Sequence, residues 1–259
     1  LAVSLWLVRK EYGFSLELER ANLLRTVRYG AHIQVGSVAQ AIGYRFDYFL
    51  INGFLGAGPL GLYSIATNWA ETLWLLPGTV STVILPRVST TDLAAAQRAT
   101  ARTCRIVFSL SLLVGGVLFV FADVLMRLLY PDRFAGAAPA LRWLLVGTLV
   151  FSLQKVLANY FIGQGKAAWF QWATLGAMVL NLVLNLLLIP RPGWGVVGAA
   201  LASAVSYSAS TIVLACLFVR WSGVKPREIL VPTAADLADI RARLAALRRR
   251  AGRHQARTV

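Results

Sequence analysis

Residues 29–54 read YGAHIQVGSVAQAIGYRFDYFLINGF. The stretch is apolar and long enough to cross a hydrocarbon core of about 30 Å, yet it carries Arg45 and Asp47 well inside its length. An ionised side chain at membrane depth costs between about 3 and 15 kcal/mol, depending on how far it snorkels or draws in water. Such residues face a bundle interior or an aqueous cavity rather than lipid. Residues 29–54 therefore read as a span lining a polar pathway, with the rest of the chain as the wall around it.

The totals agree. Of 259 residues, 58% are hydrophobic and 14% charged, and the mean hydropathy is +0.64. A soluble domain is about 25% charged, so the balance predicts a membrane protein. A net charge of +15 would suit nucleic acid. Here the arginines sit between apolar runs and in the tail, as in cytoplasmic loops, and no nucleic-acid partner is expected. Cys104 and Cys216 lie in or beside apolar runs without CxxC spacing, and His32 and His254 have no ligand pattern around them. Neither a disulfide framework nor a metal centre is predicted.

Outward from residues 29–54, six spans are expected: about 30–54, 60–85, 106–128, 139–162, 167–189 and 195–219. Gly56-Ala57-Gly58-Pro59 is a tight uncharged turn, and Pro77-Gly78 predicts a kink in the second span. Residues 88–105 read as a basic connector holding Arg98, Arg102 and Arg105. The first eight residues, LAVSLWLV, are too short to span and resemble the end of a membrane helix whose beginning is missing. Residues 1–29 are thus that helix end plus a connector, 30–219 a six-helix lobe, and 220–259 a basic tail. Lys and Arg crowd residues 9–28, 87–105 and the tail, and thin out in the alternate loops. That alternation puts both ends of the six-span unit in the cytoplasm.

Ten of the 26 basic residues lie after Val219. Leu237, Ile240, Leu244 and Leu247 recur at helical steps beside Arg241, Arg243 and Arg248 to Arg250. This pattern suits an amphipathic helix on anionic lipid, and equally a basic tail that only enforces topology.

Arg45, Asp47, Glu71 and Lys155 are the charges deep within the spans. Arg45 and Asp47 are two apart, so on a helix they point to nearly opposite sides and cannot satisfy each other. The four suit an anionic headgroup and a proton- or ion-driven cycle; the alternative is that they pair as fixed struts between helices. Asn68, Asn181 and Asn185 add uncharged polarity, with Asn181 and Asn185 one turn apart on a shared face. They suit sugar hydroxyls, or bonds to neighbouring helices at about 1 kcal/mol each. The tryptophans at 69, 74, 143, 169 and 172 fit interfacial anchoring at least as well as sugar stacking. No enzyme is expected. The loops offer no DxxD or DxD for Mg²⁺, two histidines so placed build no triad, and no glycine-rich phosphate loop precedes a helix.

Two stretches carry a family likeness. Asp47-Tyr48-Phe49-Leu50-Ile51, then Leu55-Gly56, Leu60-Gly61-Leu62-Tyr63-Ser64-Ile65-Ala66 and Pro86-Arg87-Val88-Ser89, resemble the start of the C-terminal half of Wzx-type polysaccharide flippases. These belong to the multidrug/oligosaccharidyl-lipid/polysaccharide exporter superfamily. Asn181 to Pro190 (NLVLNLLLIP), Gly195, Gly198 to Ala202 and Tyr207, after Gly163-Gln-Gly165-Lys166, are similar to the paired last helices of a six-helix lobe there. The resemblance implies an all-α polytopic membrane helix bundle, one six-helix lobe of a MATE-like two-lobe transporter working by alternating access.

It also implies that Arg45 and Lys155 belong to a cationic cavity for an undecaprenyl-pyrophosphate-linked oligosaccharide, and that Asp47 or Glu71 couples to proton or sodium. No other cofactor is expected. The implied partners are the N-terminal lobe, membrane lipid, a polysaccharide polymerase and glycosyltransferases, in a bacterial inner membrane. Kindred readings are a drug or metabolite antiporter of the same fold and a peptidoglycan-precursor flippase, a group that tends to carry further helices after the second lobe. The rival of another class is a non-transporting scaffold for glycan assembly, which predicts that Arg45 tolerates substitution.

Overall fold

The computed structural model describes residues 43, 45–75, 77–78 and 92–233. Chain contacts divide the protein after Ile42, and every described residue belongs to the second unit. Among the described residues the regular elements are all helical. They are α1 (Phe46–Leu55), α2 (Ala57–Glu71), α3 (Leu93–Val120), α4 (Ala122–Leu129), α5 (Ala138–Gly163), α6 (Ala167–Leu188), α7 (Gly195–Ser222) and α8 (Pro226–Leu230). Short 3₁₀ turns occupy Thr72–Trp74 and Asp132–Ala137. Four helices, α3, α5 with its preceding turn, α6 and α7, are each long and apolar enough to cross a membrane. The chain builds the expected all-α membrane bundle.

α1 and α2 meet at Gly56, whose φ of +84° is strained for any residue with a Cβ. Its N–H donates to the Asn52 carbonyl at 3.0 Å and closes α1. Beyond α2 the winding tightens at Thr72–Trp74, ahead of Pro77. Proline lacks a donor and crowds the turn before it, so the disturbance expected at Pro77-Gly78 begins upstream.

The third span differs most from expectation. Residues 93–105, expected as connector, are helical and continuous with the apolar run to Val120. At 1.5 Å per residue the 28-residue helix is about 42 Å long, longer than the hydrocarbon. Charge at Arg98, Arg102 and Arg105 excludes those turns from lipid without excluding helix. The run then breaks at Phe121 and resumes as α4, where a single span to residue 128 was expected. Arg142 at the start of α5 pairs with Asp123 of α4 and donates from Nε to the Phe119 carbonyl at 3.3 Å. The two charges thus meet at helix ends. The bounds of α6 and α7 match the expected fifth and sixth spans within three residues. Residues 30–42 and 44 of the first span, 76 and 79–85 of the second, and the stripe Leu237 to Leu247 lie outside the described residues.

Two buried clusters hold the lobe. One gathers Ile51, Tyr63, Leu73, Met126, Leu141 and Leu145. The other gathers Cys104, Leu157, Tyr160, Phe161, Phe218 and Ile229, the last carried in by α8. With lipid as apolar as leucine, helices associate through close packing of small residues and interhelical bonds. α7 supplies them: Ala199, Ala200, Ala202, Ser203, Ala204 and Ser206 are buried. Its hydroxyls at Ser210 and Thr211 both donate to Gln154 Oε1 of α5, at 2.5 and 3.2 Å. Others, such as Thr67, Thr148 and Ser206, bond the carbonyl four residues back within their own helix, which pairs those hydroxyls locally.

The α5–α7 crossing rests on Gly147, where an added Cβ would sit 2.5 Å from the Ala204 Cα. Backbone cannot yield as a side chain can. Gly147→Ala is expected to cost about 1–3 kcal/mol of overpacking, read as a lower thermal unfolding midpoint of the intact protein in detergent. An unchanged midpoint would mean that the helices separate freely.

Candidate functional site

The start of α1 separates its two charges. Arg45 is the N-cap, with non-helical backbone and a side chain 45% exposed. Its Nη2 donates to Glu71 Oε2 at 3.0 Å, and its Nη1 to the Tyr48 hydroxyl at 2.7 Å. The guanidinium carbon lies 5.0 Å from the Tyr48 ring centroid. Asp47 goes the other way and is only 4% exposed. The Tyr63 hydroxyl donates to its Oδ2, the Tyr48 amide to its Oδ1 at 3.0 Å, and Ser203 Oγ lies 3.5 Å from Oδ2. A carboxylate in the first turn also meets the positive end of the helix dipole.

Four helices contribute to the group around Asp47. Ser203 of α7 lies 3.2 Å from the Tyr63 hydroxyl of α2 and accepts from Asn181 Nδ2 of α6 at 3.2 Å. Asn185 Nδ2 donates to Asn181 Oδ1 at 2.9 Å. Asn185 Oδ1 is fully buried with no donor among the described residues. An orphaned buried acceptor costs about 1–3 kcal/mol, and here it ends a chain of bonds that runs through Asn181 and Ser203 to the buried Asp47 carboxylate. Such hard oxygen donors fit a proton or a small alkali cation.

The remaining sequence candidates are less buried. Glu71 ends α2, with Asn68 exposed one turn before it. Lys155 of α5 places its ammonium 4.8 Å from the Trp74 ring and 5.2 Å from that of Phe151. Tyr207 of α7 packs on Phe151 at 4.8 Å and on Trp74 at 6.2 Å. Rings around an ammonium favour the cation through their quadrupoles. Asp47 is thus joined through Ser203 to Asn181 and Asn185 in one group, and Arg45 to Glu71 in another. The sequence spacing showed neither Ser203 nor the roles of Tyr48 and Tyr63; the two tyrosines stood only within the stretch that carries the family likeness, and Ser203 only as a hydroxyl within an apolar helix. Trp69 donates to the Tyr130 hydroxyl at 3.1 Å, while Trp143, Trp169 and Trp172 are exposed.

Comparison with known proteins matches residues 54–246 to the family described as Lipid II flippase MurJ. A probable low-salt glycan biosynthesis flippase, Agl15 of Haloferax volcanii, is 28% identical over 73% of this chain and 41% of its own length. The EPS I polysaccharide export inner membrane protein EpsE of Ralstonia solanacearum is 28% identical over 59% of this chain and 35% of its own. A crystal structure of a MATE protein in the straight conformation superposes with a TM-score of 0.62 and 26% identity, over 83% of this chain and 49% of that one. The chain spans less than half the length of these relatives. Those whose names state a role are transporters, not enzymes, as expected of this superfamily.

Proposed function

The chain belongs to the lipid II flippase MurJ family, and from there we propose that it walls one side of a pathway for a polyprenyl-pyrophosphate-linked glycan, moved by alternating access. The proposed setting is a bacterial inner membrane, with both ends of the six-span unit cytoplasmic. The observation that carries this reading is Arg45, held by Tyr48 and Glu71 with nearly half its side chain open. A guanidinium fork suits phosphate oxygens, and Lys155, beside Trp74 and Phe151, adds a second cation. Asn68 and the rings of Trp74 and Tyr207 suit a sugar. The buried group around Asp47 takes the coupling proton or cation. Relatives named for glycan flipping and polysaccharide export support this substrate class. Those relatives are more than twice as long as the stretch matched here, and the other half of the pathway is proposed to come from a second lobe.

The test reconstitutes the intact transporter in vesicles holding a fluorescent lipid in both leaflets, and measures how much an impermeant quencher reaches. Flipping of lipid II assigns a peptidoglycan precursor, the family's description. Flipping of an undecaprenyl-pyrophosphate oligosaccharide assigns the polysaccharide pathways. Export of a cationic drug with neither lipid moved would replace this reading by the antiporter.

A further inference from the structure

We infer that Tyr48 and Tyr63 form a relay through which neutralising Asp47 loosens Arg45, so that an ion at the first and an anionic headgroup at the second oppose each other. The inference rests on the function proposed above. Tyr48 holds both charges at once. Its amide donates to Asp47 Oδ1 at 3.0 Å, and its hydroxyl accepts from Arg45 at 2.7 Å. Its ring meets that of Tyr63 edge-on, with centroids 5.5 Å apart and planes at 74°. Tyr63 is fully buried, and its hydroxyl donates to the other oxygen of Asp47.

Besides these bonds, the turn is tied to α2 through Arg45, which donates to Glu71 at 3.0 Å. No side chain caps α1, and among the described residues the Tyr48 amide bonds the Arg45 carbonyl at 3.2 Å and the Asp47 carboxylate. Bonds to an ionised acceptor are roughly twice as strong as neutral ones. Loss of the Asp47 charge, to a bound cation or by substitution, therefore weakens its hold on both tyrosines. Tyr48 then shifts, and Arg45 shifts with it. Tyr48 and Tyr63 are positioning residues, since neither is needed to touch the transported lipid.

A purely electrostatic link would act with the opposite sign. The Asp47 charge repels an anion at Arg45, so removing it through space would tighten anion binding. The relay predicts weaker binding. The two can be separated by a double-mutant cycle, with farnesyl pyrophosphate as the probe and calorimetry on the intact transporter in detergent.

Asp47→Asn is expected to raise the dissociation constant about tenfold, within the usual range of coupling between sites. In a Tyr48→Phe background, which keeps the ring and loses the hydroxyl, the same change is expected to matter less than about twofold. Tyr63→Phe tests the other joint and serves if Tyr48→Phe melts early; it too should blunt the effect of Asp47→Asn. Tighter binding in Asp47→Asn, or an equal effect in all backgrounds, overturns the relay. A folded wild-type transporter that does not bind the probe removes the anion site, and with it both the relay and the proposed substrate class.

Discussion

Arg45→Ala in the intact transporter is expected to abolish surface-glycan export while membrane insertion stays at the wild-type level. The side chain lies at the surface of the lobe and joins no buried cluster, so insertion and packing do not depend on it. Two charge-assisted bonds to a phosphate, at about 1.5–3 kcal/mol each, amount to at least a 100-fold loss at 1.4 kcal/mol per tenfold. The change also strands Glu71, whose carboxylate loses the Arg45 bond at 3.0 Å and would repel an anionic headgroup. Arg45→Ala with Glu71→Gln should therefore recover part of the loss, and Arg45→Lys should fall between, because an ammonium lacks the planar fork. Export by complementation, with protein level in isolated membranes, measures all three. Full export from Arg45→Ala would favour the scaffold reading.

Asp47→Asn should leave a folded protein that no longer responds to its coupling ion. Asparagine keeps the shape and can still accept from Tyr63, but it lacks the charge that draws a cation among Ser203, Asn181 and Asn185. A ligand at 100 times its dissociation constant stabilises the folded state by about 2.7 kcal/mol. Sodium added at fixed pH should raise the melting midpoint of the wild-type transporter and leave Asp47→Asn flat. If sodium leaves the wild type unmoved and transport follows a proton gradient that Asp47→Asn ignores, the ion is the proton. Transport by Asp47→Asn at the wild-type rate, with unaltered ion dependence, would remove the coupling role from this group.

Several features were legible without coordinates. The apolar runs, the Gly56 turn and the bounds of α6 and α7 follow from local hydropathy and backbone rules. The split between Arg45 and Asp47 was expected from helical spacing, and the structure produces it instead at the helix start, where Arg45 is a non-helical N-cap. The likeness carried by residues 47–66 and 181–207 already pointed to a transporter lobe. Residues 93–105 were misjudged for a definite reason: charge density reports where a helix may sit in a membrane, not whether the backbone is helical. The break at Phe121 had no clear mark in an almost uniform apolar run.

By itself the sequence determined that this chain lives in a membrane, that its helices are long and that a few charges are buried at a cost needing explanation. These are properties of solvent transfer and of neighbours within a turn or two. Only the tertiary structure decided which partners resolve that cost. Tyr63 and Ser203 stand 16 and 156 residues from Asp47, and helix packing alone selects them from the many hydroxyls that hydropathy treats as equal.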